Sequence, residues 1–178
     1  MKSTLKFLLT SLIFISVSFP QSQHTIMTYN ILNYPVSDTT IHNPHYRTIF
    51  SNVQPDILVV QEMMSQSGVD GFLSKILNHV SSGYVAGTFI NGFDTDNAIY
   101  YKSSLFTFLS NTPIDTELRD INEFKLQYNS TGDTIIIYSV HLKANNSSSD
   151  SLKRAAEVDS LRKRTNTCLL YTSPSPRD

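Results

Sequence analysis

Between Asp56 and Gln61 the chain reads Ile57-Leu58-Val59-Val60, a run that is apolar on both faces of an extended strand. Side chains alternate across a strand, so one with a wet face would carry a polar residue at every second position. This run carries none. It suits the centre of a sheet covered on each side rather than an edge, and the rest of the chain must supply the covers.

One cover is legible directly. Val69, Phe72, Leu73, Ile76, Leu77 and Val80 fall at i, i+3, i+4, i+7, i+8 and i+11, the spacing of one helix face. A further helix is predicted over 44–53: Asn43 is a candidate N-cap, Pro44 lies in the first turn, Tyr46, Ile49, Phe50 and Val53 repeat at helical spacing, and Pro55 ends it. Thr25–Ile31 reads as a strand before it, closed by Asn33, Tyr34 and Pro35. After Gly83 the period changes to two, and strands are predicted over 84–90, 98–102, 105–109, 124–128 and 134–140, with turn-forming residues at 129–133. Asp150–Arg164 predicts a last helix that buries Leu152, Ala155, Ala156 and Leu161 and exposes Lys153, Glu157, Arg162 and Lys163. The order βαβα, a run of strands, then α implies the α/β class, a layered α/β sandwich with mixed β-sheets.

Composition sets the outer bounds. A chain of 178 residues, 40% hydrophobic and 16% charged, has the apolar material for one globular domain. Lys2 and Lys6 precede the apolar stretch Phe7–Val17, and Ser16 and Ser18 offer a small-x-small cleavage site, so residues 1–22 read as a secretory signal peptide. The apolar stretch is well short of the roughly 20 residues a spanning helix needs. The expectation is therefore an exported protein, periplasmic or extracellular, with no stable membrane insertion. Without Lys2 and Lys6, the 14 basic residues become 12 against 15 acidic ones, a net charge of −3. No basic surface announces nucleic acid, although a divalent cation supplies the positive charge that holds a phosphate. The single Cys168 excludes an internal disulfide. Nothing in the sequence points to an oligomer.

Polar groups able to meet stand at the ends of two strands, Thr28-Tyr29-Asn30 on the first and Gln61-Glu62 on the second. A carboxylate at the end of an apolar strand is costly to desolvate unless it is paired or bound to a cation. Hard cations such as magnesium take few protein ligands and keep several waters, so one glutamate with an amide nearby is a sufficient contribution. The plainer alternative is that Glu62 caps the next segment and Asn30 turns the chain. His141 alternates with Val140 and Leu142 on a third strand and faces away from them, where it either serves a structural hydrogen bond or reaches a phosphate as donor or acid. His24, His42, His45 and His79 lack ligand spacing.

In their order, these residues resemble a known family. Thr28-Tyr29-Asn30-Ile31-Leu32, a helix containing Arg47, and Gln54-Pro55-Asp56-Ile57-Leu58-Val59-Val60-Gln61-Glu62 are similar to the opening of the endonuclease/exonuclease/phosphatase superfamily. Asn97-Ala98-Ile99-Tyr100-Tyr101-Lys102 resembles its middle strand, and Tyr138-Ser139-Val140-His141-Leu142-Lys143, followed by Arg154 and Glu157, resembles its histidine strand and next helix. The resemblance runs from Thr25 to Arg164.

It implies a metal-dependent hydrolase of phosphate esters, with magnesium, or manganese or calcium in its place, as cofactor. Glu62 would ligate the metal, and Asn30 would orient the metal or a scissile phosphate oxygen. His141 would donate to the phosphate and stabilise its developing charge, and Asn97 would line the substrate site. Arg47 and Arg154 are expected on helix surfaces or in packing. The implied partner is a phosphodiester, with nucleic acid as the leading substrate and a lipid or small ester as the alternative. An exported, non-catalytic binding module of the same fold is the competing reading. The family's Asp-x-Asn and Asp-His pairs follow its histidine strand, whereas Asp120-Ile121-Asn122 precedes His141 and is expected as a turn. The expectation is thus that residues 24–166 are the N-terminal portion of the domain, 167–178 a non-native tail, and the chain as given inactive.

Overall fold

The computed structural model describes residues 23–35 and 38–167; the leader expected over 1–22, and the expected tail beyond Thr167, lie outside them. Seven strands in two sheets and four α-helices make up the described residues. Strands β1 (Ile26–Tyr34) and β2 (Ile57–Met63) pair in parallel, linked by helix α1 (Thr39–Val53) as a crossover. β4 (Asp96–Lys102) pairs with β2 antiparallel, and β3 (Tyr84–Ala86) pairs with β4, so this mixed sheet has the order β1-β2-β4-β3. β5 (Phe106–Ile114), β6 (Ile121–Tyr128) and β7 (Thr134–Ser139) form an antiparallel sheet in sequence order.

The apolar run Ile57–Val60 is covered on both faces, as its pattern requires. Leu58 and Val60 point to one side, where they meet Tyr46 and Phe50 of α1 together with Val69 and Phe72 of α2 (Gln66–Phe72). Ile57 and Val59 point to the other, where Ile99 and Tyr101 of β4 join them against Phe106, Phe124 and Leu126 of the second sheet. The chain is thus layered helix, mixed sheet, antiparallel sheet, with helix α4 (Ser148–Thr167) beside β6 on the far side. Phe72 is the hub of the helix side, its ring 5.1 Å from Tyr34, 5.7 Å from Phe50 and 5.5 Å from Tyr100. Full burial of each such side chain contributes about 1.5–3 kcal/mol.

The helical stripe from Val69 is present, but in three pieces: α2, a π-helical segment Leu73–Leu77, and α3 (Asn78–Val80). Val69, Phe72, Ile76 and Leu77 are buried. Helix α1 starts at Thr39 rather than at Pro44, because Asp38 Oδ1 accepts from Thr40 N at 3.1 Å and Ile41 N at 3.4 Å and caps an earlier turn. The strand expected over 84–90 stops at Ala86, and Thr88 O instead accepts from Asn111 Nδ2 of β5 at 2.9 Å. Asp120-Ile121-Asn122 is not a turn: Ile121 and Asn122 open β6 and are buried.

The first half of the last helix presents a different face from the one expected, while Arg162 and Lys163 are exposed as expected. Leu152 is 73% exposed, Ala155 and Ala156 are exposed, and Glu157 is 3% exposed. Polar ties outweigh the small apolar area of two alanines and a leucine here. Glu157 Oε2 accepts from Lys143 N at 3.0 Å, Arg154 Nη1 donates to Lys143 O at 3.0 Å and Asn145 O at 2.7 Å, and Arg164 forks onto Glu123. The bonds to Lys143 and Asn145 clamp the segment that follows His141.

Candidate active site

The ends of β1 and β2 depart from regular strand geometry together. Asn30 pairs with Gln61 and Tyr34 with Met63, so three residues on β1 oppose one on β2. On the other side of β2, Val60 pairs with Ala98 and Met63 with Asp96, which makes Glu62 part of a bulge toward β4 as well. The extra length is absorbed in left-handed backbone: Leu32 at φ 53°, Asn33 at φ 54° and Glu62 at φ 66°. For a non-glycine residue that conformation costs on the order of 1–3 kcal/mol and persists only where surrounding contacts impose it.

What the strained backbone achieves is to aim Glu62. Its Oε1 accepts from Asn30 Nδ2 at 2.8 Å and its Oε2 from Asn33 N at 3.1 Å. Asn30 is itself fixed, its Oδ1 accepting from Leu32 N at 2.9 Å. His141 follows β7 and crosses from the second sheet, with Nε2 3.6 Å from Glu62 Oε1. The sheets are tied beneath this point by Gln61 Nε2, which donates to Thr28 Oγ1 at 3.0 Å and Ser139 Oγ at 3.4 Å. The side chains of Glu62 and His141 are 18% and 22% exposed, so the cluster is sheltered but open on one side. Asn30 also lines a groove with Tyr29, Leu32, His42, His45 and Tyr46.

Three of the residues singled out in the sequence, Asn30, Glu62 and His141, therefore converge. Asn97 does not join them. It is 2% exposed, and its Nδ2 donates to Asn122 Oδ1 at 2.8 Å and Asp120 O at 3.2 Å, so it backs the β5–β6 connection rather than lining a substrate surface. Arg47 and Arg154 also lie apart, each donating to backbone carbonyls, Arg47 Nε to Lys75 O at 2.7 Å.

Two residues at the site gave no signal in the sequence. Arg119, between β5 and β6, places Nη1 3.0 Å from His141 Nδ1 and donates from Nε to Asp94 Oδ2 at 3.0 Å. Burial first, then the charge of Arg119, pushes His141 below the usual histidine range, against an upward pull from Glu62, Asp94 and Glu157. Both residues sit in irregular connections, where no periodicity marks a position.

The donor set suits a hard cation in part. Glu62 is a carboxylate with no lysine or arginine paired to it among the ion pairs of the described residues, and its oxygens are oriented by neutral amide donors. Magnesium is commonly held by one or two carboxylates and several waters. Among the described residues, no group of three or more His, Cys, Asp or Glu side chains is arranged to enclose an ion.

No family model and no curated protein matches the sequence. Solved structures do match. The structure of humanized D. rerio TDP2 gives a TM-score of 0.63 at 14% identity, over 82% of this chain and 60% of that one. D. rerio TDP2 complexed with single strand DNA product gives 0.62 at 15% identity, over 83% and 56%. ANGEL2, described as a 2',3'-cyclic phosphatase, gives 0.55 at 22% identity, over 78% and 47%. The chain thus spans 60% or less of the length of these structures. Over that span it shares the fold of TDP2 and ANGEL2, which are members of the endonuclease/exonuclease/phosphatase superfamily.

Proposed function

We propose that this protein is an exported, divalent-metal-dependent phosphodiesterase whose substrate is nucleic acid. The observation that carries the proposal is the Glu62 carboxylate, held on a strained bulge by Asn30 and Asn33 and faced by His141 from the opposite sheet. Backbone strain of this kind clusters at functional sites.

Glu62 would hold the cation, which when bound supplies positive charge to a phosphoryl group. Asn30 and Asn33 keep the carboxylate pointed at that position without neutralising it. The imidazole of His141 would donate a hydrogen bond to a phosphoryl oxygen and so meet the charge that develops in the transition state. Nucleic acid is favoured as substrate by the fold shared with a protein complexed with single strand DNA product. Export rests on the charged and apolar character of residues 1–22. No helix among the described residues is long and apolar enough to cross a membrane.

The test is hydrolysis of a single-stranded oligonucleotide by protein expressed with enough downstream sequence to match the length of the solved structures. Magnesium-stimulated cleavage, lost in Glu62→Gln and His141→Ala variants that remain folded, is the expected result. Cleavage of sphingomyelin vesicles with the oligonucleotide left intact would assign the lipid alternative, and binding without turnover of either would assign a non-catalytic module.

A further inference from the structure

The orientation of His141 is set by a residue that can only donate. A guanidinium has five N–H groups and no acceptor. With Arg119 Nη1 3.0 Å from His141 Nδ1, that ring nitrogen must be the acceptor, and the proton of the neutral ring must reside on Nε2. Nε2 is the atom that faces Glu62 Oε1 at 3.6 Å. When a histidine is oriented by a carboxylate or a carbonyl, Nδ1 carries the proton and Nε2 is left bare, as a base or a metal ligand. An arginine in that place reverses the assignment.

We propose that Arg119, anchored by Asp94, is a positioning residue that fixes His141 as an Nε2–H donor toward the phosphate position, and so excludes it as a proton acceptor and as a cation ligand. The proposal rests on the reading of the site given above. Arg119 is well placed for the role. Its Nε donates to Asp94 Oδ2 at 3.0 Å, so the two ends of the guanidinium are held from the β3–β4 connection and by the imidazole. Its side chain is 17% exposed, which limits competition from water. The connection that carries it is pinned as well: Thr116 Oγ1 donates to Arg119 O at 2.8 Å, and Asn97 Nδ2 donates to Asp120 O at 3.2 Å. Asn97 thus reaches the site only through this loop.

The tautomer is read directly by long-range proton–nitrogen correlation on the full chain labelled with nitrogen-15 at histidine, at a pH where the His141 ring is neutral. The expected wild-type pattern is a single form with a bare Nδ1 and a protonated Nε2. Arg119→Met should move both nitrogen shifts toward the average of two exchanging tautomers. Arg119→Lys, which also only donates, should restore the wild-type pattern. Asp94→Asn, at an exposed carboxylate, should shift the pattern in the same direction as Arg119→Met but less, and keeps the question answerable if Arg119→Met does not fold. A protonated Nδ1 in the wild type, or nitrogen shifts unmoved in both Arg119→Met and Asp94→Asn, would overturn the proposal. The readout needs neither metal nor turnover, so the assignment of Arg119 and the hydrolase reading fail separately.

Discussion

Asn30 donates its Nδ2 hydrogen to Glu62 Oε1 at 2.8 Å across the parallel pair β1 and β2, just where both strands leave regular register. The bond joins the last regular residue of β1 to the left-handed residue of β2. Asn30→Ala removes it and leaves Glu62 with Asn33 N alone. Because Asn30 is exposed, the expected loss is about 1.5 kcal/mol, the low end for a hydrogen bond to a charged group. Urea denaturation at neutral pH measures it. Asn30→Asp should cost more, since it places a second carboxylate beside the first.

Gly68 lies behind the same bulge. A Cβ added there would meet Met63 Sδ at 2.8 Å, Pro35 Cδ at 2.9 Å and Tyr34 O at 3.2 Å, atoms of the residues that flank Asn33 and Glu62. Gly68→Ala is therefore expected to destabilise the fold by on the order of 1–3 kcal/mol, despite its better helix propensity, because a packed strand end must move. Thermal melting of the variant checks the sign, and an increase in Tm would show that the strand end yields freely.

Much of this architecture was legible in the sequence, and for a stated reason. The doubly apolar run Ile57–Val60 and the stripe from Val69 to Leu77 have strong periods, and burial enforces them. Asn30 and Glu62 were visible because they lie near the ends of strands, and His141 because it alternates with apolar Val140 and Leu142, although β7 stops at Ser139, before it. Arg119 and Asp94 were not, because their pairing joins irregular connections of different sheets and depends on three-dimensional approach alone. The face of α4 was misjudged because its inward contacts are charged: Glu157 and Arg164 are held by specific partners, and a polarity pattern cannot register partners.

Arg164 and Glu123 make the clearest case of that kind. Glu123 is 2% exposed and accepts two bonds from Arg164, both at 2.7 Å. The hydrogen bonds from Arg164 hold the Glu123 carboxyl below the usual glutamate range, against the upward push of burial. A depressed folded-state pKa contributes stability that is present above the unfolded value, about 4.3, and is lost as pH falls through the folded value. Arg164→Ala leaves the carboxylate buried without its charged partner and is expected to cost about 2–3 kcal/mol at pH 7, less than a fully buried pair because Arg164 is 40% exposed. The penalty should shrink as pH falls through the carboxylate range, because Glu123 of the variant, buried without its arginine, protonates before that of the wild type. Chemical denaturation of both proteins at pH 7 and pH 3 measures the difference.

The central claim is that Glu62 holds a divalent cation with Asn30 and His141 beside it. The most direct test is titration of manganese into the nitrogen-15-labelled chain, with paramagnetic broadening followed residue by residue, a readout that tolerates weak binding. Broadening should begin at the side-chain amide of Asn30, the backbone amides of Asn33 and Glu62 and the ring of His141, should be reversed by excess magnesium, and should vanish in folded Glu62→Gln. Broadening that starts elsewhere, or that is the same in Glu62→Gln as in the wild type, would contradict the account.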